Sequence, residues 1–237
     1  MPAVMKTETG LVRKQNEDAA WFDENKGVFA VADGMGGHLA GEVASAMAIE
    51  KIRKMSEEEK TPSISALRRA ILEANQSILD RAYEHDECRG MGTTLSVLWR
   101  GGSNLYIAHV GDSRCYLYRD GHLEQITDDH SMVMEMVRAG VLTPEQAAVH
   151  PMRNVITRAV GSDRSVQVDI LTRERKAGDL WLFCSDGLHG QVEEQEIVEY
   201  LHLPIAQAAD ALLKAAMDAG APDNVSLVLV LDKGDEA

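Results

Sequence analysis

The sequence predicts an α+β fold of antiparallel sheets flanked by helices, and two patterns predict it. Short apolar runs of strand length recur between turn residues, and two of these runs are followed by hairpin signals. Long stretches of helical period stand in succession between the runs instead of alternating with them one by one. That order argues against a doubly wound parallel sheet.

Taken in order, Gly27–Ala32, Thr93–Trp99, Asn104–Val110, Arg114–Tyr118, Leu180–Cys184 and Val225–Leu231 are rich in Val, Leu, Ile, Tyr and Trp and read as strands. Gly101-Gly102 and Asp120-Gly121 read as hairpin turns. His38 to about Met55, carrying Val43, Ala46, Ile49 and Ile52, reads as a helix. So does Ser63 to about Glu84, where Ile64, Leu67, Ile71, Ala74, Ile78 and Ala82 form one apolar stripe. Pro204 is suited to open a third helix, with Ala208, Leu212, Leu213 and Ala216 facing inward. Between Thr127 and Gly161 lie an amphipathic stretch (Met132, Met136, Val137), a stop at Gly140, and a capping box in Thr143-Pro144-Glu145-Gln146. Insertions of this length in compact domains are more often functional than idle. No linker or repeat interrupts the chain, which reads as a single domain over 1–237.

Charge and cysteine usage narrow the function. Thirty-eight acidic residues against 24 basic ones give a net charge of −14, and phosphate backbones are bound by basic faces, so a nucleic-acid partner is not expected. Cys88, Cys115 and Cys184 are odd in number and widely spaced, which predicts reduced thiols and neither disulfide nor zinc knuckle. The opening MPAVMKTETG lacks the layout of a signal peptide. No apolar run reaches the roughly 20 residues that a membrane span needs. The expectation is a soluble, cytoplasmic monomer with no membrane partner.

The acids are informative by position. Asp33 ends the run Val28–Ala32 and precedes Gly34; Asp112 follows Val110-Gly111; Asp186 follows Leu180–Ser185 and precedes Gly187; Asp223 stands just before Val225–Leu231. Strand ends that are distant in sequence lie close together in a sheet, and glycine lets the backbone turn sharply beside them. Two carboxylates about 4 Å apart repel by roughly 4 kcal/mol at an effective dielectric near 20, and divalent metal relieves that strain. An all-oxygen set favours Mg²⁺ or Mn²⁺ over zinc. The turn-capping role common to aspartate is the plainer reading of any one of them alone. His38, His85, His109, His122 and His189 read as surface or packing residues, because no pair has metal-ligand spacing. No P-loop and no G-x-S-x-G elbow is present, and Asp33-Gly34-Met35-Gly36-Gly37 lacks the order of a nucleotide-binding turn.

These residues resemble a known family, the metal-dependent (PPM, type 2C) protein phosphatases in their compact bacterial form. The matching blocks run in family order: Gly10–Arg13 with Asn16-Glu17-Asp18; Ala32–His38; Gly92–Thr94; Val110–Arg114; Asp129–Ser131; Ala159–Gly161; Cys184–Leu188; and Pro222–Ser226. The resemblance implies a four-layer α-β-β-α sandwich with the site at one end. It implies that Asp33 bridges two Mn²⁺ or Mg²⁺ ions, with Gly34 lending its carbonyl. Asp186 and Asp223 then complete the first ion, Glu17 and Asp18 serve the second, and Asp112 with Asp186 holds a third, weaker one. Residues 127–161 correspond to the flap beside the cleft.

The implied reaction is hydrolysis of phosphoserine and phosphothreonine on proteins by in-line attack of a water held between two cations, with Arg13 gripping the phosphate. The implied partners are phosphorylated proteins, including a serine/threonine kinase or its substrates. One departure stands out: many eukaryotic relatives place His directly after Asp-Gly, and here that residue is Met35, which leaves the general acid unassigned. Two other functions fit the same pattern, a catalytically silent phosphoprotein-binding regulator and a two-metal phosphodiesterase.

Overall fold

A computed structural model describes residues 1–36 and 40–234. The expected helix start at His38 lies outside the described residues. Two antiparallel sheets lie face to face. The first orders β1 (Ala3–Glu8), β11 (Val225–Leu231), β10 (Leu180–Cys184), β7 (Arg114–Arg119) and β8 (His122–Gln125) as β1-β11-β10-β7-β8. The second orders β2 (Asp18–Asp23), β3 (Val28–Met35), β5 (Leu95–Gly101), β6 (Asn104–Val110) and β9 (Asp169–Glu174) as β2-β3-β5-β6-β9, with β4 (Gly92–Thr93) also on β3.

Helices α1 (Ala40–Glu58) and α2 (Ile64–Glu84) cover the outer face of the second sheet. Helices α5 (Asp186–His189), α6 (Glu194–Leu201) and α7 (Ile205–Asp218) cover the first. The order is helix, sheet, sheet, helix, the four-layer α+β arrangement that the family resemblance implied.

Strand alternation builds the layers. On β3, Val28, Ala30 and Ala32 face α1 and α2, while Phe29 and Val31 face the other sheet. On β10, Leu180, Leu182 and Cys184 face α5–α7, while Trp181 and Phe183 face inward. Burying each of these large side chains contributes about 1.5–3 kcal/mol. All three cysteines are free and buried. No described helix is long and apolar enough to cross a membrane.

Local signals held where chemistry was explicit. Ser63 caps α2, accepting the Ala66 N–H at 3.1 Å. Thr143 and Gln146 close the capping box of α4 (Pro144–Ala148). Asp120 (φ 52°) and Gly121 (φ 83°) make the β7–β8 hairpin turn.

Several expectations need correction. Asp33 does not end its strand: β3 runs on to Met35 by pairing Gly34 with Thr93 and Met35 with Gly92. The expected strand Thr93–Trp99 is broken at Thr94, whose hydroxyl accepts the Asp33 N–H at 2.8 Å. Pro204 caps α7 from outside the helix, as fits a residue without an N–H to donate. Ile64 and Ala46 face solvent, so the inward faces are Leu67, Ala70, Ile71, Ala74 and Ile78 on α2, and Ala44, Ala48 and Ile52 on α1. Strands β1, β2, β8 and β9 and helices α5 and α6 were not anticipated.

Candidate metal centre at the end of the sandwich

The site continues the inter-sheet core. Inward-facing Ala20 and Phe22 on β2, Phe29 and Val31 on β3, Trp181 and Phe183 on β10, and Val228 and Val230 on β11 are apolar. Two residues further along the same faces, the alternation reaches Asp18, Asp33, Ser185 and Ser226. Asp18 and Asp33 are direct partners across β2 and β3, a placement that opposes like charges and destabilises a sheet unless a cation compensates. The first sheet answers with hydroxyls. Ser185 Oγ donates to Asp18 Oδ2 at 2.7 Å and accepts the Ser226 N–H at 3.0 Å. Thr7 and Ser226 hydroxyls meet at 2.8 Å. Below Asp33, the Thr94 and Ser113 hydroxyls meet at 2.7 Å.

A second group arrives on the loop between β1 and β2, held by Asn224. The buried Asn224 side chain donates to Thr9 O and Gln15 O, both at 2.8 Å, and accepts the Glu17 N–H at 2.8 Å. Gly10 (φ +78°) lies so close to the Asp223 turn that a Cβ would sit 2.2 Å from Asp223 O. This packing sets Arg13 Nη2 2.6 Å from Asp223 Oδ2. Arg13 therefore pairs with Asp223, and not with Glu17 or Asp18, its sequence neighbours. Gly34 is cradled: a Cβ there would lie 2.1 Å from Gly41 O and 2.4 Å from Glu17 O.

Electrostatics mark the cluster as uncompensated. Asp33 is held well above the ordinary carboxylate range, by burial first and then by Asp18, Asp186, Asp112 and Asp223. Burial, with neighbouring acids adding to it, pushes Asp18 up to about 7. Asp112 is pushed up to about 7 by burial and then by Asp186 and Asp129. Asp186 reaches about 6, through burial and Asp223, while a hydrogen bond with Asp33 draws it down. Glu17 is raised by burial. As whole residues these acids are half-buried. Asp18 Oδ1 is buried without any hydrogen-bond partner.

Among the described residues no three His, Cys, Asp or Glu side chains converge on one ready-made ion position. The acids are electrostatic neighbours, and Asp223 meets Arg13. An orphaned buried oxygen, mutually raised acids and an all-oxygen donor set nonetheless fit a hard divalent cation. Seven of the expected site residues (Arg13, Glu17, Asp18, Asp33, Asp112, Asp186, Asp223) interact with one another here, with Gly34 beside them. Sequence reasoning missed Ser185, Ser226, Thr94 and the bracing role of Asn224; the period-2 alternation running past each strand end was the available signal for the two serines. Of the histidines expected at the surface or in packing, His109 is buried, His189 Nε2 donates to Asp112 O at 3.0 Å, and His85 and His122 lie half-buried and exposed; His38 lies outside the described residues.

A raised carboxylate costs stability as it ionises. In chelator, Asp18→Asn should melt higher than the parent chain, and the gap should widen from pH 4 to about 7 and then level off. The folded state keeps a proton that the unfolded chain has already lost across that window. One unit of displacement is ~1.4 kcal/mol, or about 3–6 °C for a chain of this size. A melting gap that ignores pH would contradict the electrostatic account.

Comparison with known proteins identifies the family. The family model described as Protein phosphatase 2C matches residues 12–226. The serine/threonine protein phosphatase PstP of Mycobacterium tuberculosis is 40% identical over 226 residues, covering 94% of this chain and 43% of that protein; the chain thus spans under half the length of this relative. The serine/threonine phosphatase stp of Listeria monocytogenes is 39% identical, covering 97% of this chain and 95% of that one. The crystal structure of the PstP catalytic domain in complex with two manganese ions superposes with a TM-score of 0.89 at 38% identity, covering 96% of each chain. Sandwich, acid cluster and a match across 12–226 agree, and the chain belongs to the protein phosphatase 2C family.

Proposed function

We propose that this chain is a metal-dependent protein phosphatase that hydrolyses phosphoserine and phosphothreonine. The observation that carries the reading is the set of mutually raised carboxylates at the open end of the inter-sheet core. In this reading Asp33, Asp186, Asp223 and the Gly34 carbonyl hold one cation, Asp33 with Glu17 and Asp18 holds a second, and Asp112 with Asp186 holds a weaker third. Bound there, Mn²⁺ or Mg²⁺ supplies Lewis acidity toward the phosphoryl group and makes water a competent nucleophile near neutral pH. The protein's part is to hold the acids in register. Ser185 orients Asp18, Thr94 fixes the Asp33 backbone, and Asn224 braces the loop that carries Arg13 and Glu17. The whole chain acts as one catalytic domain, with residues 127–161 as the flap beside the cleft. Its partners are phosphorylated proteins, among them a serine/threonine kinase or that kinase's substrates.

The test is turnover by the purified chain. Mn²⁺-dependent phosphate release from phosphothreonine peptides, abolished by chelator, is expected, with far slower cleavage of bis-p-nitrophenyl phosphate. Peptide binding without turnover would leave the regulator reading standing, and faster diester cleavage would favour the phosphodiesterase.

Arg13 is half-exposed and presents a fork that matches two phosphoryl oxygens. Arg13→Ala should raise KM for phosphopeptides about tenfold and reduce kcat less. An unchanged KM would remove Arg13 from phosphate binding.

A further inference from the structure

The segment 127–161 meets the Asp112 turn through an imidazole, beside the Asp129–Arg114 ion pair (2.8 Å). His130 is 1% exposed and forms a reciprocal pair with Gly111. His130 N–H donates to Gly111 O at 2.8 Å, and Gly111 N–H donates to His130 Nδ1 at 3.0 Å. An Nδ1 that accepts leaves the ring proton on Nε2, where it donates to Asp169 Oδ2 on β9 at 3.1 Å. Asp169 Oδ1 accepts from Arg158 Nη1, at the far end of the segment, at 3.1 Å. The His130 ring lies against His109, with centroids 4.9 Å apart, and His109 Nδ1 is itself bonded to Ser96 Oγ at 2.8 Å.

The receiving turn has little freedom of its own. Gly111 has φ +112°, and a Cβ there would lie 2.5 Å from Thr94 Cγ2. The next residue is Asp112, whose carbonyl is held from the other side by His189.

We propose that His130 is a positioning residue that yokes the flap to the Asp112 turn, so that displacement of the flap is passed to the Asp112 carboxylate and to the weakest cation position. The last step rests on the metal-site reading above; the yoke itself rests on the hydrogen bonds alone. Other ties run from Thr127 and Asp129 to β7, from Arg158 to Asp169 on β9, from Val160 to Thr93 on β4 and from Gly161 to Asn75 on α2, but among the described residues His130 is the flap side chain that bonds the backbone immediately before Asp112. Thr157 N–H donates to His130 O at 2.7 Å, so both ends of the flap converge on this residue.

Three measurements test it. In the parent chain, NMR should show a through-hydrogen-bond coupling between Gly111 N and His130 Nδ1, with the ring as the Nε2–H tautomer; a missing coupling or an Nδ1–H tautomer overturns the proposal. Next, His130→Asn places an acceptor near the Nδ1 position, whereas His130→Gln reaches toward Asp169 instead. With chelator present, exchange of the Gly111 amide should rise about tenfold in His130→Gln, because its acceptor is lost, and stay near the parent rate in His130→Asn. Finally, Mn²⁺ titration followed by electron paramagnetic resonance should show the weakest-bound ion weakened about tenfold in His130→Gln alone, with the tighter ions unchanged. Equal effects of Asn and Gln would reduce His130 to a packing residue. If neither variant folds, the parent coupling decides the matter. A parent chain without phosphatase turnover would remove the catalytic reading yet leave the Gly111 measurements intact, so the two ideas fail separately.

Discussion

Asp33→Asn should lower Mn²⁺-dependent hydrolysis of p-nitrophenyl phosphate about a thousandfold while the chelated protein becomes harder to melt. Both effects come from one charge. Asp33 is raised by burial and then by Asp18, Asp186, Asp112 and Asp223, so the Asn side chain removes both the cost of burying that charge and its repulsion with the neighbouring acids. The same neutralisation removes the carboxylate assigned to two cations, and the remaining acids cannot replace it. Asparagine keeps the shape, and the Asp33 backbone bonds to Thr94 are retained, so the loss cannot be ascribed to unfolding. Asp186→Ala should likewise abolish turnover in a folded chain. Retained activity in Asp33→Asn, or a lower melting point in chelator, would overturn the assignment of the centre.

The second large effect is expected at a residue that carries no charge. Asn224→Ala removes three hydrogen bonds at once and leaves the Glu17 N–H and the Thr9 and Gln15 carbonyls without that partner. Each such buried group costs about 1–3 kcal/mol. Even with partial water access the loss should reach ~3–5 kcal/mol, roughly 10 °C in Tm. Because the released loop carries Arg13 and Glu17, KM for phosphopeptides should rise together with the Mn²⁺ concentration needed for half activity. A Tm within 2 °C of the parent (about 1 kcal/mol or less) with unchanged KM would show that the loop is held by something else.

These two residues also show what could be read without a structure. Asp33 was legible because it follows an uninterrupted apolar strand and precedes glycine, a pattern that needs no partner to be noticed. Asn224 was visible only as the neighbour of Asp223, because its three partners lie more than two hundred residues away. Long-range hydrogen bonding leaves no local signature. The buried strands β3, β6, β10 and β11 announced themselves by hydrophobic runs. β1, β2, β8 and β9 did not, because they lie at or near sheet edges and hold mostly half-buried or exposed residues. The pairing of Arg13 with Asp223 leaves no local signal for the same reason, since 210 residues separate the two and the packing of Gly10 against the Asp223 turn brings them together.

The neck of the segment from 132 to 155 has a consequence for how such a chain can diversify. Ser131 and Ile156 form an antiparallel bridge, and Met132 N–H donates to Val155 O at 2.8 Å. The stalk is thus sewn shut where it leaves the body. Chain added or removed beyond that seam changes the closure entropy only logarithmically, about 0.6 kcal/mol per doubling, so long as the seam itself stays paired. The outer loop is therefore an exchangeable cassette, free to change in length and sequence while the sandwich beneath it stays constant.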